Sequence, residues 1–282
     1  MCSEQRLGGC QMTDSISWLL AAAAGVALLI ATPALADEAE RDFCADRPGK
    51  GSPTCTLDPG RFQAEAGFID YSRHDHGGVE ATEYGYGTMT LRWGLTDSLE
   101  GQILWTPYVV AREKIGATTF EETGTGDVGF SLRQNLLSPD GSGTSVALQV
   151  IVTAPTGSDG ISADVWEGAI MLPVSFEVAE DTALTGMIEL DIVGDAAGGG
   201  HHTAFAGVIG IEHGFGDVTL AGEVWAQRDD DPLGAATQAS AGVQLMWTPA
   251  SLDDVQFDVG VDFGLNNETP NVAVGAGIAK RF

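Results

Sequence analysis

"GVDFGLNNETPNVAVGAGIAKRF", Gly260 to Phe282, closes the chain, and its second half decides the fold. Val272, Val274, Ala276 and Ile278 share one parity; Ala273, Gly275, Gly277 and Ala279 share the other. A strand with one apolar face reads this way. Soluble domains ordinarily end in polar, frayed residues. This chain has a formal net charge of −27 and still ends on an apolar face finished by Phe282. The fold turns on what that face touches.

The same period runs upstream. "RFQAEAGFID" sets Phe62, Ala64, Ala66 and Phe68 against Gln63 and Glu65. "TMTLRWGLT", "SLEGQILWTPYVV", "DVGFSLRQNLL", "VALQVIVTAPTG", "WEGAIMLPVSFEV", "ALTGMIELDIV", "TAFAGVIGIEH", "DVTLAGEVWAQ", "QASAGVQLMW" and "DVQFDVGVDFGL" follow. With the terminal run, these predict about 12 strands. The connections between them alternate long (72–81, 113–125, 155–165, 194–202, 229–236, 266–270) and short (96–97, 138–143, 179–182, 214–216, 249–253). A sandwich or a lipocalin-like barrel also alternates apolar and polar residues. Long and short ends in strict succession instead point to an all-β, transmembrane, up-and-down antiparallel β-barrel with short periplasmic turns. The apolar face then meets lipid, and Phe282 is the interfacial end of the closing strand.

Aromatic residues support this. Phe62, Trp93, Phe176, Trp247 and Phe282 fall near the short turns; Phe68, Trp105, Trp166, Phe205 and Phe263 fall near the long loops. Rings gather at the two headgroup levels of a membrane. By parity the lumen receives Glu65, Glu100, Glu189, Asp191, Glu223, Asp258 and Asp262, with Arg92 and Arg133 as its main cations and Trp225 as an inward ring. These are the expected permeation residues, and their acid surplus predicts cation preference.

The N-terminus carries "WLLAAAAGVALLIATPALA", Trp18 to Ala36, an apolar run ending in an A-x-A site. Residues 1–36 are therefore expected to be a cleaved signal peptide, with the start at Met1 or Met12. Its n-region holds Glu4 and Asp14 beside Arg6 and so lacks the usual positive charge. The run is also of borderline length for a bilayer span. Residues 37–60 are expected to form a periplasmic segment, and 61–282 the barrel. Cys44 and Cys55 are an even pair in an exported chain and are expected to form a disulfide closing a surface turn. Such a bridge contributes roughly 2–3 kcal/mol by the loop-entropy model.

The sequence pI of about 4.1 argues against nucleic-acid binding, which needs Lys and Arg to neutralise phosphates. No Gly-x-Ser-x-Gly element and no phosphate-binding loop is present, and no catalytic residue, cofactor or metal site is predicted. His74, His76, His201 and His202 sit in predicted long loops. They are taken as solvated rather than as a metal site with Asp75. The partners expected are outer-membrane lipid, the barrel-assembly machinery and a small solute. The alternatives are an outer-membrane enzyme or structural barrel with a plugged lumen and, more distantly, a soluble periplasmic barrel.

"ADRPGKGSPTCTLDPGRFQAEAGF", "GTGDVGFSLRQNLL", "VIVTAPTG" and "LPVSFEVAEDTALTG" resemble the outer-membrane transporters grouped as the MetA-pathway phenol-degradation family. The likeness covers most of Asp46 to Phe282, including Asp46-Arg47-Pro48 and the run Pro59 to Glu65. It implies passive uptake of small, often aromatic or apolar, compounds. A terminal aromatic such as Phe282 looks like the signal that outer-membrane barrels present to their assembly machinery.

Overall fold

The computed structural model describes residues 40–252 and 254–282. The expected signal peptide lies outside the described residues. Fifteen strands follow in order: β1 (Phe62–His76), β2 (Val79–Tyr86), β3 (Met89–Gly94), β4 (Leu99–Trp105), β5 (Tyr108–Ile115), β6 (Thr118–Gly124), β7 (Val128–Leu137), β8 (Thr144–Ala154), β9 (Glu167–Ala179), β10 (Thr182–Gly194), β11 (His201–Phe215), β12 (Val218–Asp229), β13 (Ala236–Trp247), β14 (Val255–Gly264) and β15 (Val272–Arg281). All pairings are antiparallel. Twelve strands close the barrel in the order β1-β3-β4-β7-β8-β9-β10-β11-β12-β13-β14-β15, and β15 returns to β1. In that seam Gln63 pairs with Arg281 and Arg73 with Val272.

The three additional strands extend the barrel on its long-loop side. The upper half of β1 leaves β3 and pairs with β2, which pairs with β5, which pairs with β6. The breaks fall at neighbouring positions. β1 bulges between Gly67 and Ile69, and Gly87, at φ 70°, bends the β2–β3 junction opposite it. Their backbones exchange hydrogen bonds, Gly67 N to Thr88 O at 2.7 Å and Gly87 N to Gly67 O at 2.9 Å. Pro107, with no N–H to give a ladder, sits between β4 and β5. The intervals 72–81 and 113–125, expected as loops, are thus largely two projecting hairpins. Above the break, Arg73 pairs with Glu80 and Arg112 with Glu121, so the outer wall there is charged.

Below it the molecule is inside-out. Among the largest fully buried side chains are Arg92, Arg133, Gln63, Gln149, Gln244, Glu65 and Glu100, whereas Ile209, Phe130, Leu132, Ile188 and Val224 are exposed. An apolar belt this broad around a polar interior is stable only in lipid. The chain is an outer-membrane barrel. Phe282 is exposed on the lipid side and packs on Phe62 (ring centroids 5.9 Å), which also meets Trp93 edge-on at 5.7 Å. On the opposite rim, Tyr71, Tyr84, Tyr86 and Tyr108 form a continuous row across β1, β2 and β5, at centroid distances of 4.9, 6.3 and 6.0 Å. They lie just below the charged hairpins.

Candidate functional site

Of the segment 37–60 expected in the periplasm, the described residues 40–60 lie instead within the barrel. Residues 40–60 form a hairpin that rises from the short-turn rim to mid-lumen and returns to β1. Its foot is tied to that rim: Arg41 Nη2 donates to Asp97 O at 2.8 Å, and Arg281 Nη1 donates to Arg41 O at 2.7 Å. Cys44 and Cys55 are disulfide-bonded and join the two legs. The "surface turn" between them, Asp46 to Thr54, is the apex in the lumen. The physical reason is charge: the charged residues of the inward wall are mostly acids, and this loop brings Arg47 and Lys50 to them.

The rising leg docks on β1, β3, β4 and β7. Cys44 O accepts from Arg92 Nη1 (2.6 Å) and Gln63 Nε2 (2.9 Å). Asp46 ion-pairs with Arg133 and accepts from Gln102 Nε2 at 3.1 Å. Burial pushes the Asp46 carboxyl up, but the guanidiniums of Arg133 and Arg92 outweigh it and hold it below the ordinary carboxylate range. Glu65 accepts from the Asp46 and Arg47 backbone N–H groups at 3.0 and 3.2 Å. Arg47 then bridges Asp70 (3.2 Å) and Asp258 (3.3 Å). Beneath these contacts Arg92 bonds Glu65 at 2.9 Å and Glu100 at 2.8 Å, and Arg133 reaches Glu100 at 3.5 Å.

The other wall touches the hairpin more softly. Ser52 donates to the sulfurs of Met187 (N–H, 3.5 Å) and Met171 (hydroxyl, 3.7 Å). Thr54 Oγ1 meets Ser175 Oγ at 3.1 Å. Lys50 N donates to Glu223 Oε1 at 2.8 Å, and the Lys50 ammonium lies 4.8 Å from the centre of the Trp225 ring. The descending leg returns through Leu57 N, which donates to Glu100 Oε2 at 2.9 Å.

The apex divides the lumen. A cavity of about 300 Å³ lies on the short-turn side, reaching Ser175, Thr185, Glu212, Thr219 and Met246. Another of about 460 Å³ lies on the long-loop side, reaching Asp70, Ser72, Glu83, Thr106 and Asp262.

Of the residues expected in the lumen, Glu65, Arg92, Glu100 and Arg133 form one buried network, and Asp258, Glu223 and Trp225 each meet the hairpin. Asp262 faces the upper cavity. Glu189 and Asp191 stand apart on β10, where Gln227 Nε2 donates to Asp191 at 3.3 Å. Asp46, Arg47 and Lys50 were missed as lumen residues. The signal was available: seven predicted wall acids faced two arginines, and an excess of that kind needs further cations or water.

The histidines expected as solvated loop residues lie instead at the ends of β1 and β11, with His202 largely buried, and the four do not gather. His74 Nε2 contacts Asn267 O at 2.8 Å, and His201 Nε2 contacts Trp166 O at 2.7 Å. His202 lies between Asp195 (3.0 Å) and Asp229 (2.9 Å), with Asp231 at 3.6 Å.

Solved structures share the architecture at low identity. The β domain of the Bordetella autotransporter Brka superposes with a TM-score of 0.54 at 15% identity, covering 80% of this chain and 100% of that one. The translocator domain of the autotransporter NalP from Neisseria meningitidis gives 0.48 at 14% identity, covering 79% and 88%. The CymD monoaromatic hydrocarbon channel gives 0.45 at 9% identity, covering 80% and 89%. No curated protein matches the chain. A family model described as "Putative MetA-pathway of phenol degradation" matches residues 45–282, so hairpin apex and barrel fall within one unit, and the chain belongs to that family.

Proposed function

We propose that the protein is a passive outer-membrane channel for small compounds, occluded at rest by its own N-terminal hairpin. The observation that carries this is a closed barrel with a polar lumen and a cavity on each side of one thin apex. A barrel built only as a scaffold has no need of paired vestibules. The family's description points to small aromatic solutes, and Met171, Met187, Val208 and Trp225 give the β9–β12 wall the apolar surface such a solute would slide along. On this reading the protein is not an enzyme. The ten lumen residues line or close the path, residues 1–36 are removed on export, and Phe282 serves assembly through the barrel-insertion machinery.

The buried ion pairs that dock the hairpin favour a second reading, a permanently plugged structural barrel. Planar-bilayer recording separates the two. A channel shows discrete conductance steps that grow when residues 43–57 are removed. A barrel silent in both forms, yet heat-modifiable on a gel and therefore folded, is the structural alternative.

A further inference from the structure

The apex sequence Pro48-Gly49-Lys50-Gly51 delivers a single ammonium group into a recess of the β12–β14 wall. Glycines on both partners make this fit. On the hairpin, a Cβ at Gly49 would come within 3.1 Å of Glu223 Oε2, and one at Gly51 within 3.2 Å of Val208 Cγ1. On the wall, Glu223 is flanked across the sheet by Gly210 on β11 and Gly242 on β13, and Gly242 also pairs with Asp262 on β14. A Cβ at Gly242 would stand 2.5 Å from Asp262 Oδ1. The recess therefore exists because those positions carry no side chain. It is bounded by the Trp225 ring and the Glu223 and Asp262 carboxylates. Lys50 Nζ lies 4.8 Å from the ring centre. Asp262 Oδ1 is buried without a hydrogen-bond partner and borders the same cavity as Lys50. An aromatic face with carboxylates beside it is the chemistry that holds an ammonium ion.

We infer that this Trp225–Glu223–Asp262 recess is a binding site for small organic ammonium ions, and that Lys50 is a tethered stand-in for them. The hairpin supplies its cation at high effective concentration, so a free amine competes poorly while the hairpin is docked. Withdrawal of Lys50 exposes a site open to the upper cavity. The use of this site in transport rests on the channel reading; binding itself does not.

The test is titration calorimetry of the full mature chain in detergent with benzylammonium chloride, and with benzyl alcohol as the uncharged control. Lys50→Ala should bind benzylammonium at least tenfold more tightly than wild type, with benzyl alcohol unchanged. Adding Trp225→Ala or Asp262→Asn should abolish the gain. Lys50→Gln gives a second vacated form should the alanine variant fail to fold. Equal affinity in wild type and vacated forms overturns the inference. So does a gain that survives Trp225→Ala, or an equal gain for benzyl alcohol, which would mean an emptied apolar hole rather than an ammonium site. Conductance is recorded separately: a silent barrel that still shows the gain removes the channel reading and leaves the site.

Discussion

Arg92 grips Glu100 with two nitrogens, Nε at 2.8 Å and Nη2 at 3.0 Å, and neither side chain has any exposed surface. The remaining Arg92 nitrogen holds Glu65 and Cys44 O. This guanidinium therefore ties β1, β3 and β4 to the hairpin at once. Truncating one member of a buried pair leaves its partner charged and unmatched, at a cost of about 3–5 kcal/mol. Arg92→Met should accordingly lower the urea midpoint of the folded barrel and free the hairpin to proteolysis. Arg92→Met with Glu100→Gln should recover part of the loss, because one of the two carboxylates that lose Arg92, Glu65 and Glu100, no longer carries a charge. A single variant as stable as wild type would show that the network does not brace the lumen.

Asp46 gives the docked hairpin a pH dependence. Burial alone would raise its carboxyl, but Arg133 and Arg92 hold it below the ordinary range. A group depressed in the docked state contributes stability above its free value, near 3.8, and loses it as pH falls through the docked value. Channel opening should therefore rise only at strongly acid pH in wild type. Asp46→Asn should open more at neutral pH and show less acid response. A flat wild-type profile down to pH 3 would remove Asp46 as the titrating latch.

The twelve barrel strands were legible because lipid on one side and polar contents on the other impose a strict period of 2 on each of them. The projecting strands β2, β5 and β6 were not. "VEATEYGY" and "TTFEETG" carry polar or charged residues on both parities, so no apolar parity marks them. The tyrosine row was missed for the same reason, since three of its four members lie on those strands. The lumen residues followed from parity alone, as in Glu65 and Arg92. The hairpin did not, because "ADRPGKGSPTC" has no period. Its placement depends on long-range charge pairing, such as Arg47 with Asp258, that no local pattern encodes.

If the short turns face the periplasm, as they do in outer-membrane barrels generally, the long-loop end of this barrel faces out. Gly78 and Gly199 lie at the tips of the β1–β2 and β10–β11 connections, and Asp97 lies in the β3–β4 turn at the opposite rim. Single cysteines at Gly78 or Gly199 should react with a membrane-impermeant maleimide on intact cells, and one at Asp97 should react only after lysis. Labelling at Asp97 alone would invert the topology.

Phe282 completes the seam with β1: its N–H donates to Phe62 O at 2.7 Å, and Phe62 N donates back to Phe282 O at 3.3 Å. Deleting it removes the last rung and the terminal aromatic together. Phe282→Tyr keeps both. The deletion should accumulate unfolded periplasmic chain while Phe282→Tyr assembles normally. Equal assembly of the two would leave Phe282 an ordinary lipid-facing ring.

The Cys44–Cys55 bridge joins the two legs of the hairpin covalently. Without it, the soft contacts of Ser52 and Thr54 with Met171, Met187 and Ser175 are free to part while Cys44 O stays on Arg92 and Asp46 on Arg133. Loop-closure entropy for a bridge of this span is roughly 2–3 kcal/mol, enough to alter how often a docked segment leaves its wall. Cys44→Ser with Cys55→Ser should therefore give a noisier channel, with brief partial openings in place of full steps. Dithiothreitol added to wild type from the short-turn side should reproduce it, and dithiothreitol on the double variant should do nothing. If the double variant gates like wild type, the docking contacts alone hold the hairpin and the bridge has no part in closing the lumen.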